Sequence, residues 1–442
     1  MRQGVWAAAA AAWIAGSTWA QQPAQLPDDS PADAIVNGLS SPALLPVPAT
    51  PTTATTESVT DGIVADGGST GLRPGVDCLP NPCDVCRRSP RFYGDVAFLL
   101  AWFKDGPNPT PLVTSGTAAN FGVLGSPGIV SVLYGARDID FDTFNGARAT
   151  LGYWFDNKAT MGVEASGFVL ERRANLFNVF SDGGPNSTIV IARPLVDTTL
   201  PPPGEDVFVV AEPGVQSGGV TATASSRLWG AEGNLVRNWR DHCQSRIDLL
   251  AGFRYIDLLE TLTINESTSL LGTPLAANEV DAFECRNQFY GGQFGARWTI
   301  SRGPLSLTSV SKLALGVTHE SITRLGSTTF FGFGPAPITV LGGQLVLPSN
   351  YGQDTRDRFA VAPATSLQVA YQMTKHASVF MGYDFLYISS VVRPGDNIDR
   401  VLDPAGLPLP SGPGTVAARP AGGIKGTDFY VNALTMGLNF TY

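Results

Sequence analysis

The sequence contains few of the residues that most catalytic and metal sites require. Its 442 residues include three histidines and five cysteines, and charged residues make up only 15% of the chain. Neither a phosphate-binding loop nor a metal-binding His-Glu-x-x-His helix motif occurs. We therefore expect no enzyme, no catalytic residue, no metal site and no cofactor.

Positive charge and long apolar runs are also scarce. The formal net charge is −9, which disfavours nucleic acid as a partner. Beyond residue 20, no apolar run reaches the roughly 18 residues that a membrane-spanning helix needs. Glycine and proline are abundant instead, at 49 and 33 residues, and they favour strands joined by turns.

The N-terminus predicts export. Arg2 precedes an apolar run that ends at Ile14, and the small residues Thr18 and Ala20 place a cleavage site before Gln21. We interpret residues 1–20 as a signal peptide, with a short buried helix as the alternative. Residues 21–90, rich in Pro, Ala and Thr, are expected to form a flexible tether.

The cysteines of this tether favour disulfide chemistry. Cys78, Cys83 and Cys86 lie together, and an exported chain meets an oxidising compartment. A zinc knuckle would need a fourth nearby ligand, and a redox motif would need a following helix. We therefore expect a disulfide within this cluster.

From residue 92 onward, the sequence alternates between apolar and polar or small residues. In the first such stretch, Val96, Phe98 and Trp102 share one face, as strand periodicity requires. Ten stretches show this pattern, namely 95–102, 147–155, 161–166, 229–235, 247–255, 290–298, 312–317, 359–371, 378–387 and 430–442.

The links between these stretches alternate between short and long. Short links lie near residues 156–158, 239–245, 301–304 and 374–377, and the long ones are 104–142, 172–222, 260–282, 318–357 and 392–426. This layout predicts an all-β fold, a closed antiparallel transmembrane β-barrel of about ten strands, or twelve, with short periplasmic turns and long external loops. A periplasmic β-sandwich is the alternative, but its strands are usually shorter.

Two further features agree with residence in the outer-membrane lipid bilayer. Aromatic residues gather at strand ends, as interfacial girdles do, at Trp102, Trp154, Trp298, Tyr387 and Tyr442. The chain also ends in a polar-x-Gly-x-x-aromatic-x-aromatic pattern, which resembles the signal read by the outer-membrane barrel assembly machinery. That pattern comprises Thr435, Gly437, Phe440 and Tyr442.

Strand parity points a set of charged residues into the barrel. These are Asp95, Arg148, Glu164, Glu232, Asp248, Arg254, Arg297, Lys312 and Asp384. Such charges can select ions in a channel, or they can satisfy one another in a filled lumen. Ten strands are close to the eight whose side chains fill the interior, which favours the filled lumen.

Several phrases in residues 90–442 resemble the planctomycete family known as putative beta-barrel porin-7. They include the segments 95–102, 249–255, 286–291, 349–352, 382–387 and 391–399. The resemblance implies an outer-membrane barrel and assigns no catalytic residues. The family pattern has an acid after a proline in the eighth strand, where this chain has Ala364 after Pro363.

Three functions follow as hypotheses: a porin-like channel for small solutes, a structural or adhesive barrel that binds through its loops, and, more weakly, a hydrolase. The hydrolase would use His319 beside Glu320 at the outer rim. A further loop turn comprises Arg393, Pro394, Gly395, Asp396 and Asp399. We interpret it as an anchor fixed by Arg–carboxylate pairing, with a cation site as the alternative.

Overall fold

The computed structural model describes residues 91–442, except residues 243, 416 and 417. The expected signal peptide, the tether and the Cys78, Cys83 and Cys86 cluster lie outside the described residues. Within the described part, no helix is long and apolar enough to cross a bilayer.

The described residues form seventeen strands and two 3-10 turns. The strands are β1 (Phe92–Phe103), β2 (Pro111–Gly116), β3 (Ser131–Gly135), β4 (Thr143–Trp154), β5 (Met161–Leu170), β6 (Arg173–Ser181), β7 (Val190–Asp197), β8 (Gly204–Ala211), β9 (Gln216–His242), β10 (Ser245–Leu270), β11 (Ala276–Arg302), β12 (Leu305–Phe331), β13 (Ile338–Leu341), β14 (Gly352–Gln372), β15 (Ala377–Val392), β16 (Val401–Leu402) and β17 (Gly426–Thr441). The 3-10 turns are Gly395–Asn397 and Pro404–Gly406.

Ten of these strands close into an antiparallel barrel. The hydrogen-bonded order is β1, β4, β5, β9, β10, β11, β12, β14, β15 and β17, and β17 returns to β1. The closing register pairs Tyr93 with Thr441 and Phe103 with Val431. The predicted closed antiparallel barrel of about ten strands is confirmed. The sheet closes because a sheet that spans lipid must leave no edge unpaired.

Apolar side chains cover the outside of this barrel. Val96, Phe98 and Trp102 of β1 all point outward and are exposed, whereas the alternate residues Leu99 and Ala101 are buried inside. The other barrel strands repeat the pattern. One girdle assignment was wrong, because Trp154 shares its face with Arg148 and stacks inside the barrel beneath the Arg246 guanidinium, 4.7 Å from the ring centroid.

Much of the chain expected in external loops continues as strand. Strands β9 to β12 are 26 or 27 residues long, whereas a bilayer needs only about 9–11 residues of strand. About half of each strand therefore extends beyond the membrane on the extracellular side. The predicted loop 260–282 contains only a five-residue turn between β10 and β11.

Pro363 marks the limit of one seam of the barrel. It pairs with Leu313 of β12 on one side, but the ladder between β14 and β15 begins only at Ala364 and Leu386. Proline has no N–H to donate, so it cannot extend that ladder. Above it, the Val361 N–H donates to the Ser389 Oγ of β15 at 2.9 Å.

A second sheet forms a cap at the extracellular end. Strands β2, β3, β7, β8 and β16 make up this five-stranded sheet. Its central strand β7 is almost wholly buried, and its Arg193 reaches into β10 and β11. The long links thus carry a packed structure, which we call the extracellular cap.

Candidate functional site

The periplasmic half of the barrel encloses a cavity of about 510 Å³. It extends from rim residues such as Trp154 and Thr441 up to Leu99 and Ile256. All nine charged residues that strand parity placed inside the barrel line this cavity, namely Asp95, Arg148, Glu164, Glu232, Asp248, Arg254, Arg297, Lys312 and Asp384.

Most of these charges pair across the barrel. Arg148 Nη1 lies 2.7 Å from Asp384 Oδ2, and its Nε lies 3.6 Å from Asp95. Arg297 pairs with Glu164, which also accepts a hydrogen bond from the Tyr93 hydroxyl at 3.0 Å. Because the partners lie on different strands, these pairs tie the walls together.

A second group of charges centres on Glu232. Its carboxylate forms salt bridges with Arg254, whose Nη2 lies 2.7 Å away, and with the Lys312 ammonium. Asp248 pairs with Arg246, whose Nε lies 2.9 Å from Asp248 Oδ1. Arg246 was not among the charged residues predicted to face the interior. Arg246 lies two residues before Asp248, so the same alternation would have identified it.

Above the cavity, aromatic rings fill the lumen. The Phe103 and Phe144 rings stack with centroids 3.7 Å apart, and Phe429 meets Phe103 edge-on at 5.3 Å. Phe289 is fully buried in the same apolar cluster. We call these four residues the aromatic plug. They continue the inward face of their strands beyond the stretches that the sequence analysis recognised.

The end of β15 stays paired with β17 and reaches across the interior to β11. Its Val392 N–H donates to Asn287 Oδ1 of β11 at 2.6 Å, and Asn287 Nδ2 donates to the Val392 carbonyl at 2.8 Å. This inward path follows the register shift between Ile388 and Val391. The turn at residues 393–399 therefore lies within the protein rather than in an exposed loop.

Arg393 anchors this turn. Its guanidinium is fully buried and binds both Glu260 carboxylate oxygens, with Nε at 2.7 Å and Nη2 at 2.8 Å, and Nη1 donates to the Asp105 carbonyl at 2.6 Å. Gly395 packs so closely that a Cβ there would lie 1.9 Å from the Pro107 carbonyl oxygen. Glu260 belongs to β10, so the carboxylate partner of Arg393 comes from outside the turn.

The other acids of the turn are placed differently. Asp399 accepts a hydrogen bond from Arg419 Nη1 at 2.7 Å and another from the Ala421 N–H at 2.8 Å. Asp396 lies in the 3-10 turn that follows Pro394. Glu260 lies 133 residues before Arg393, so no local sequence pattern identifies it as the partner.

A buried charge cluster joins the extracellular cap to the barrel. Arg193 of β7 lies 2.6 Å from Glu279, 2.7 Å from Asp281 and 3.3 Å from Glu266. Glu266 and Glu279 pair directly across β10 and β11. Burial, together with these like charges, raises the pKa of Glu279 well above its ordinary value and also raises that of Glu266.

This cluster predicts that acid tightens the extracellular cap. A carboxyl whose pKa is raised by folding binds more protons in the folded state, so its destabilising effect grows as pH rises above about 4.5 and disappears below it. We expect backbone amides of β7 to exchange severalfold more slowly at pH 5 than at pH 8, after correction for intrinsic exchange rates. Glu279→Gln should weaken this pH dependence, and an unchanged dependence in that variant would contradict the assignment.

His319 and Glu320, the two residues of the hydrolase hypothesis, lie on opposite faces of β12. His319 points outward and pairs with Asp357 at 2.7 Å, whereas Glu320 points inward, where it binds Arg356 and accepts from Ser390 Oγ at 2.7 Å. Adjacent strand residues face opposite sides of a sheet, so the expected His–Glu pair cannot form.

The C-terminal signal residues also divide between the two faces. Thr435 is buried inside the barrel, and Gly437 shares its inward face. Phe440 and Tyr442 are exposed on the outside. The Tyr442 N–H donates to the Phe92 carbonyl at 2.8 Å, so the last residue takes part in barrel closure.

Among solved structures, this chain is similar to outer-membrane proteins. The outer membrane protease OmpT from Escherichia coli is 10% identical, with 81% of this chain and 100% of that chain covered and a TM-score of 0.35. A Pseudomonas aeruginosa FadL homologue is 7% identical, with 80% and 90% covered and a TM-score of 0.22. Among curated proteins, none matches this chain.

The family comparison covers most of the chain. The model described as "Putative beta barrel porin-7" matches residues 95–442, which include every strand of the barrel and of the extracellular cap except the first three residues of β1. This chain therefore belongs to the beta barrel porin-7 family and is an outer-membrane β-barrel.

Proposed function

We propose that this protein is a sealed outer-membrane barrel with a structural role in the envelope, which binds partners through its extracellular cap. The observation that carries this proposal is the filled lumen. The aromatic plug, the crossing segment of β15 and the Arg393–Glu260 pair follow one another above the cavity. An ion moving between the two sides would have to displace buried apolar rings and a paired charge.

Partner binding is supported by the surface of the cap. Ile129, just before β3, is 80% exposed, and Val132 within β3 is exposed beside it. Large apolar groups at an exposed sheet edge favour contact with another protein. The external position of this surface suits an adhesive role, since loops on rigid scaffolds commonly carry binding functions.

A porin-like channel is the second candidate, and the charged cavity favours it. Rings of charged residues select ions in channels, and the periplasmic half of this barrel has acids and bases on opposing walls. Most of these charges are paired with one another, however, which suits a filled interior equally well. The apolar rings above the cavity weigh against free passage in this conformation.

Conductance in planar bilayers separates the two proposals. We expect the purified parent protein to insert without producing stepwise openings over the voltages at which porins conduct. Insertion should be verified by the shift in gel mobility between heated and unheated samples that folded barrels show. Regular stepwise openings of the inserted parent protein would overturn the sealed-barrel proposal in favour of the channel.

We propose that residues 1–20 direct export, that Thr435, Gly437, Phe440 and Tyr442 are read during barrel assembly, and that the protein is not an enzyme. The separation of His319 from Glu320 supports the last of these.

A further inference from the structure

The outer face of the barrel changes from apolar to polar within one cross-strand row. Going upward on β10, Phe253 and Tyr255 are followed by Asp257, and on β11 Tyr290 is followed by Gln288. Trp229 of β9 lies in register with Asp257. This change places the upper boundary of the lipid hydrocarbon at these residues, because a charged group avoids the apolar interior of a bilayer.

Aromatic rings mark the same level. The Trp229 and Tyr255 rings lie 5.0 Å apart, and the Tyr255 and Tyr290 rings also lie 5.0 Å apart. Tryptophan and tyrosine concentrate at membrane–water interfaces, where one end of the ring is apolar and the other is hydrated. The groups immediately above these rings therefore lie at the depth of the outer-leaflet headgroups.

Three arginines stand in the next row up. Arg227 of β9 pairs with Leu259 of β10, and Leu259 pairs with Arg286 of β11. Strand β6 pairs with β9 on its other side, and the register matches Arg173 with Ser226. Arg172, the residue before Arg173, therefore lies beside Arg227. With strands about 4.8 Å apart, these guanidiniums can converge on one small anion. We call Arg172, Arg227 and Arg286 the arginine row.

The arginine row is only partly neutralised by protein groups. Arg286 binds Asp257, with Nη2 at 2.8 Å, and Arg172 donates to Ser225 Oγ through Nε at 3.0 Å. Among the described residues, the buried Nε of Arg227 has no hydrogen-bond partner. The nearby acids are Asp257 and Glu284, in the two adjoining rows of β10 and β11, and Glu171, which precedes Arg172 and pairs with Arg173 at 3.7 Å.

We propose that the arginine row binds the phosphate of an anionic lipid headgroup in the outer leaflet. Guanidinium groups hold phosphate oxygens through paired N–H donors, and the side chains of Arg172 and Arg286 are exposed while that of Arg227 is partly exposed. Leu259 lies between Arg227 and Arg286 in the same row, and the aromatic rings border this row on the membrane side. This inference depends only on membrane residence and is independent of whether the lumen is sealed.

Native mass spectrometry of the full chain in detergent can test this site. We expect the parent protein to retain phosphatidylglycerol at least about threefold better than phosphatidylcholine, with the preference weakening at high salt as ionic contacts are screened. The double variant Arg172→Gln, Arg227→Gln should lose most of this preference. Arg227→Lys keeps the charge without the forked donors and should retain an intermediate preference.

A matched control removes one charge elsewhere. Arg137 is exposed in the link between β3 and β4 and is not part of the arginine row, and Arg137→Gln should bind phosphatidylglycerol as the parent does. The folded state of each variant is checked by its heat-dependent gel mobility. The proposal is overturned if the parent shows no preference, if the folded double variant keeps it, or if Arg137→Gln loses it equally.

Discussion

Replacing Glu260 by alanine is expected to destabilise the barrel by about 3–5 kcal/mol, because it leaves the buried Arg393 guanidinium without its carboxylate partner. The cost should appear as a lower urea midpoint in lipid vesicles, followed by tryptophan fluorescence. Arg393 also holds the carbonyls of Lys104 and Asp105, so the crossing segment should loosen at the same time.

A pair near the surface of the extracellular cap provides the comparison. Arg400 binds both carboxylate oxygens of Glu205, but both side chains remain partly exposed. Glu205→Ala should therefore cost no more than about 1 kcal/mol. Equal midpoints for the two alanine variants would show that the Arg393–Glu260 pair does not hold the lumen together.

Opening the aromatic plug is expected to turn a silent barrel into a conducting one. The triple variant Phe103→Ala, Phe144→Ala, Phe429→Ala removes three rings whose packing closes the lumen. Each truncation also costs about 3–5 kcal/mol of packing, so the variant must first be shown to fold by its gel mobility. Single-channel recording should then reveal discrete openings that the parent lacks.

The control for this experiment removes three rings from the outer face. Phe98, Phe253 and Phe294 are each about half exposed to the surroundings of the barrel. Their triple alanine variant should fold and stay silent. A folded plug variant that is equally silent would place the barrier elsewhere in the interior.

The strands of the membrane-spanning region were predictable because their environment repeats. Lipid outside and packed or polar contacts inside force every second residue to be apolar, so the alternation of Val96, Phe98 and Trp102 is visible without any structure. The same rule placed Arg148 and Glu232 inside the barrel. Trp154 was assigned to the outer girdle by residue type, whereas its parity places it inside the barrel with Arg148.

Above the membrane this rule no longer applies. Both faces of the extended strands are in contact with protein or water, so polar residues such as Thr263 and Asn265 of β10 look like a loop in the sequence. The strands continue there because each has a hydrogen-bonded neighbour on both sides. The predicted loops 172–222, 260–282 and 318–357 were therefore too long, whereas loops 104–142 and 392–426 and the number of strands were right.

Sequence alone determined the number of strands, the outward apolar surface and the charges that face the interior, because each of these depends on a local repeat of two residues. Tertiary structure alone decided how side chains pack in the interior above the cavity. The Arg393–Glu260 pair, the crossing of β15 to Asn287 and the stacking of Phe103 on Phe144 all join residues far apart in the chain. Such contacts leave no periodic trace in the sequence, since they exist only once the barrel has closed.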